Sequence, residues 1–77
     1  MSEGHNRKKT KDRIAFGKQV RKLRYENDMS IEKLAEKAGL HPSYLGSVER
    51  GERNIALENI LAIARALNCP AKDLIPE

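Results

Sequence analysis

The residues best suited to chemistry lie in one short stretch, Pro42 to Arg50, where Ser43, Gly46, Ser47 and Arg50 recur at helical intervals. At about 100° per residue this spacing gathers them with Pro42 on one face, while Leu45 and Val48 point the opposite way and Tyr44 and Glu49 lie at the edges. The resulting face is small, polar and basic. Such a face suits hydrogen bonding to base edges in a DNA major groove, where bulk would hold the helix away. Gly46 asks for a reason, since a mid-helix glycine costs about 1 kcal/mol relative to alanine. Close approach to a phosphate or base edge would supply one; the solvent face of any small bundle would show the same pattern with no ligand.

Other chemistries find few residues. The histidines are His5 and His41, the single cysteine is Cys69, and no C-x-x-C spacing exists to hold zinc. No nucleophile, base and orienting group can be assembled, so the expectation is a protein that is not an enzyme and needs no cofactor or metal. His41 is a weak helix cap by type and a donor to a phosphate at low pH or to a base edge at any pH. Cys69 reads as a small buried apolar group, with a redox switch as the sharper alternative. A lone cysteine fits a reducing, cytoplasmic compartment.

Charge is distributed unevenly. Residues 7 to 24 carry nine basic groups (Arg7, Lys8, Lys9, Lys11, Arg13, Lys18, Arg21, Lys22, Arg24) against one acid, Asp12, whereas residues 25 to 77 hold six basic groups and nine acids. One side of the molecule is thus offered to a polyanion, or else a solvated basic tail precedes a neutral domain.

The elements that must position these groups read as helices. From Ser2 to Lys11 no side chain is apolar, so residues 1–11 are expected to form a flexible basic arm, with the domain over 12–77. Phe16, Val20 and Leu23 fall within about 60° of one another on a first helix over Arg13–Asn27. Ser30 is placed to cap a second helix that buries Leu34, Ala35 and Ala38 and stops at Gly39. Pro42 suits the first position of a third helix ending near Arg50 and Gly51. A fourth runs over Leu57–Leu67, and Pro70 opens a last turn or short helix to Leu74 or Ile75. No alternation of period two persists, so the fold class is all-α with five short helices.

With 77 residues, 39% of them hydrophobic and 34% charged, the chain has room for one small core. No apolar run approaches the 18 or so residues of a membrane span, so no membrane partner is expected.

The run Leu34-Ala35-Glu36-Lys37-Ala38-Gly39-Leu40, then Ser43-Tyr44-Leu45 and Val48-Glu49-Arg50-Gly51, resembles the lambda-repressor-like, Cro-type (XRE) helix-turn-helix family from about Phe16 to Leu74. Within it, Tyr44 to Asn54 is most similar to restriction-modification controller proteins. The resemblance implies a sequence-specific transcriptional regulator, binding double-stranded DNA as a homodimer on an inverted repeat, with RNA polymerase as a further partner. Antitoxin, prophage repressor and protein-interaction module are the alternatives. It implies roles as well: Arg24 paired with Glu49 as a structural ion pair with guanidinium N–H groups left near a phosphate; Ser43, Tyr44, Ser47, Arg53 and His41 at bases; Ser30, Ile31, Gly46, Arg50 and Asn54 along the backbone. The dimer surface is expected to use Ile63, Leu74 and Ile75.

Three positions depart from the family pattern. Ile31 replaces a phosphate-binding glutamine, Pro42 a base-reading arginine or glutamine, and Ala56 the serine or threonine that caps the fourth helix. The first two shift expected specificity toward His41, Arg53 and DNA shape.

Overall fold

Thr10 starts the fold. Its hydroxyl accepts the Arg13 N–H at 3.2 Å and caps α1, Lys11–Glu26, in a computed structural model that describes residues 9–77. The helix begins two residues before the apolar spacing does, so Lys11, expected in the arm, is helical; residues 1–8, His5 among them, lie outside the described residues. Phe16, Gly17, Val20 and Arg24 form the buried face of α1. Beyond it Asp28 takes a left-handed φ of 55°, which breaks the helix.

Ser30 accepts the Lys33 N–H at 3.0 Å and opens α2, Ile31–Ala38, which closes on Gly39 at φ 71°, the conformation glycine adopts without steric cost. His41 Nδ1 accepts the Ser43 N–H at 3.0 Å and Pro42 follows it, so α3, Pro42–Glu49, has both a cap and a preset first φ. A loop leads to α4, Leu57–Ala66, whose N-cap Ala56 makes no side-chain bond. The expected fifth helix is a single 3₁₀ turn, Ala71–Asp73. Pro70 and Pro76 bracket it, and a segment that short cannot offset the cost of nucleating an α-helix.

The core is built from Phe16 and Val20 of α1, Leu34 and Ala35 of α2, Leu45 and Val48 of α3, Ile63 and Ala64 of α4, with Leu67 and Leu74 beyond. α2 packs on α3 and α4 while α1 packs on α3, so α3 is held between neighbours on its inner side. Gln19 Nε2 donates to Asp73 O at 2.9 Å and ties the C-terminal turn to α1.

This packing corrects the expected dimer surface, because Ile63 and Leu74 are 0% exposed and are core residues. On α4 the stripe Ile60, Ile63, Ala64 and Leu67 faces inward, which leaves Leu57 and Leu61, one turn apart, on the flank. These two, with Ile75, are large apolar side chains left in solvent. No helix among the described residues is long and apolar enough to cross a membrane.

Candidate nucleic-acid interface

The orientation of α3 is set from α1. Arg24 Nε donates to Glu49 Oε2 at 2.7 Å and Arg24 Nη2 to Oε1 at 2.9 Å, while Nη1 donates to Met29 O at 3.0 Å in the α1–α2 turn. One buried guanidinium therefore ties α1, the turn before α2 and the end of α3. Hydrogen bonding to Glu49 raises the Arg24 pKa above its already high ordinary value, outweighing the opposing effect of burial. Arg21, a residue not singled out from sequence, adds a bond to Glu49 Oε1 at 3.3 Å from a side chain 46% exposed. Arg24 itself is nearly enclosed, so its work is to position α3, and the expected reach of its free N–H groups to a phosphate falls away.

Gly17 was also missed. A Cβ there would collide with the carbonyl oxygens of Val48 and Glu49, so the absence of a side chain is what lets α1 lie directly on the C-terminal end of α3.

The outward side of α3 differs from the wheel in its middle. Ser43 and Arg50 are exposed, as are His41 before the helix and Arg53 and Asn54 after it. Ser47 is 5% exposed: its Oγ donates to Tyr44 O at 2.6 Å and accepts from Arg53 Nε at 3.2 Å, so the expectation that it reads a base is corrected. The loop after α3 folds back over it, a tertiary contact that helical periodicity does not contain. Gly46 is buried too, with Ile31 Cδ1 3.6 Å and Arg50 Nη1 3.3 Å from the place of a Cβ. Ile31 lies at ordinary contact distance and the end of Arg50 is flexible, so neither requires a glycine here; what the structure shows is that Gly46 is covered by these two side chains, where contact of its backbone with DNA was expected.

The remaining polar groups have defined roles at rest. His41, by accepting at Nδ1, carries its proton on Nε2 when neutral and presents a donor there. Arg50 forms an exposed two-bond contact with Glu52, Nε to Oε2 at 3.0 Å and Nη2 to Oε1 at 3.3 Å, which raises the Arg50 pKa. The exposed Ser30 hydroxyl accepts in its capping bond and keeps its hydrogen to donate, and the first N–H groups of α2, at Ile31 and Glu32, stand beside it for an outside acceptor. Tyr44 is half-buried, its hydroxyl accepting from Asn59 Nδ2 at 3.1 Å. Among the described residues no group of His, Cys, Asp and Glu side chains gathers to hold a metal.

A short α2, a tight glycine turn, and an α3 clamped inside and polar outside make a helix-turn-helix unit. Residues 18–74 match the helix-turn-helix family. The chain belongs to that family. This helix-turn-helix protein is 45% identical over 64 residues to the control protein C.BamHI of Bacillus amyloliquefaciens, covering 82% of this chain and 79% of that one. Its fold is similar to the crystal structure of the restriction-modification controller protein C.AhdI from Aeromonas hydrophila, at a TM-score of 0.79 and 45% identity over 80% of this chain and 94% of that one. It is similar also to the biofilm master regulator SinR in complex with DNA, at a TM-score of 0.74 and 32% identity over 77% of this chain and 95% of that one. The helix-turn-helix protein is thus a DNA-binding regulator of XRE type, with the restriction-modification controllers among its relatives.

Proposed function

We propose that this protein is a homodimeric transcription regulator of the restriction-modification controller type, reading an inverted-repeat operator with α3 in the major groove. The observation that carries the reading is the exposed row His41, Ser43, Arg50, Arg53 and Asn54, borne on and around a helix that Glu49 holds in place. Donors fixed on a rigid element keep their geometry through binding, which is what base discrimination needs. The proposed dimer surface is the apolar flank Leu57 and Leu61 with Ile75, apolar area that a monomer this small leaves wet. One subunit offers too little recognition surface for specificity in a genome, and two-fold symmetry doubles it.

Selection from randomised duplexes, run beside sedimentation of the free protein and its complex, tests the reading. The expected result is a palindromic motif with half-sites about 34–36 Å apart, bound by two subunits. A motif without two-fold symmetry, or a one-subunit complex, would reject it.

A further inference from the structure

The structure assigns Ser47 to positioning Arg53, and through that contact selects which edge of the Arg53 guanidinium meets the DNA. The inference rests on the proposed reading of the chain as an operator-binding regulator and deepens it. Ser47 spends its only hydroxyl hydrogen on Tyr44 O, 2.6 Å away, so its oxygen has lone pairs alone to offer a third group. The group present is Arg53 Nε, at 3.2 Å. Against the face of the same guanidinium lies the Tyr44 ring, its centroid 5.4 Å from Cζ, and that ring is itself held by Asn59 at its hydroxyl.

Arg53 is therefore constrained twice, in its plane by a hydrogen bond and across its face by an aromatic ring. An exposed arginine normally loses much rotamer entropy on binding, and here part of that loss has occurred before DNA arrives. With Nε occupied, the edge left to a ligand is the Nη1 and Nη2 pair, which hydrogen-bonds to no other side chain among the described residues. That end-on fork matches the paired O6 and N7 acceptors of guanine in the major groove. Ser47 is too enclosed to touch a base, so its influence on sequence preference passes through Arg53.

The test begins with the wild-type motif selected from randomised duplexes. Affinities for that duplex and for versions with each guanine replaced by adenine are then measured for wild type, Ser47→Ala, Ser47→Thr, Arg53→Ala and the Ser47→Ala Arg53→Ala double variant. Expected is a loss of roughly tenfold in preference at one guanine for Ser47→Ala, the size of a hydrogen bond to a charged group. The same position should respond to Arg53→Ala, Ser47→Thr should keep the preference, and the double variant should be no worse than Arg53→Ala. Full preference in Ser47→Ala, loss at a base that Arg53→Ala leaves alone, or losses that multiply in the double variant would overturn the inference. An unchanged motif in Arg53→Ala would overturn it as well, whereas wild-type protein that selects no duplex would overturn the proposed function itself.

Discussion

Arg24 and Glu49 meet edge to edge, two parallel N–H to carboxylate bonds of 2.7 and 2.9 Å between side chains that are both withdrawn from water. Truncating Glu49 to alanine strands a buried guanidinium, which typically costs about 3–5 kcal/mol. Arg21 cannot compensate, because it shares the same carboxylate and is nearly half exposed. Chemical denaturation of Glu49→Ala should show a loss of that order together with weakened DNA binding. A stability within about 0.5 kcal/mol of wild type would mark the pair as ornamental to the fold.

Gly17→Ala should destabilise the protein by about 1–3 kcal/mol although alanine is the better helix former. The obstacle to a methyl group is backbone, the carbonyls of Val48 and Glu49, and backbone cannot swing aside as a side chain can. Thermal melts of the variant decide this, and a gain in melting temperature would contradict the close approach.

Leu61→Glu and Ile63→Glu separate the surface of α4 from its core. The first should lower self-association in sedimentation while leaving helicity intact, since Leu61 sits on the exposed flank. The second buries an unpaired carboxylate and should unfold the chain. Unchanged self-association in Leu61→Glu would move the dimer surface elsewhere.

Operator affinity should fall by about 10³ to 10⁵ between 50 and 200 mM salt if some 6 to 10 phosphate contacts are made. The supply of cations on α1 and around α3 is adequate to that number. A titration that stays flat over this range would argue against phosphate-dominated binding.

Burial, and then the nearby Asp73 carboxylate, push the Cys69 thiol above its ordinary range. A raised folded pKa means the neutral thiol is favoured by folding, so this contribution to stability is complete below the unfolded pKa and is lost as pH rises through the folded one. Alkylation at neutral pH should be slower in native protein than after denaturation, and should accelerate with alkali. Equal rates in the two states would refute the assignment.

Much of this was legible in the chain. Gly39, Pro42 and Ser30 punctuate α2 and α3 because their backbone and capping chemistry is local, whereas the pairing of Arg24 with Glu49 is implied by the resemblance to the helix-turn-helix family and not by spacing alone. Ser47 was misread because an ideal wheel knows nothing of the loop that returns Arg53 to it. Ile63 was misplaced because α4 is apolar over more than half its circumference, and only the position of α2 decides which part faces in; Leu74 was misplaced because its burial depends on the 3₁₀ turn that Gln19 ties back to α1, a tertiary contact. Gly17 did carry a signal: it interrupts the buried stripe between Phe16 and Val20, and the propensity argument applied to Gly46 holds there equally.

The enclosure of Gly46 and Ser47 turns α3 into a ruler with marks only near its ends. From Ser43 to Arg50 the helix rises about 10.5 Å at 1.5 Å per residue, close to three base-pair steps of roughly 3.4 Å each. For a helix lying along the groove, contacts from α3 itself would then concentrate at two places in each half-site, apart from the one Arg53 makes from the loop, and be separated by pairs the helix passes over. Substitutions at those intervening pairs should register through the stiffness of the duplex, and the half-site would evolve fastest there.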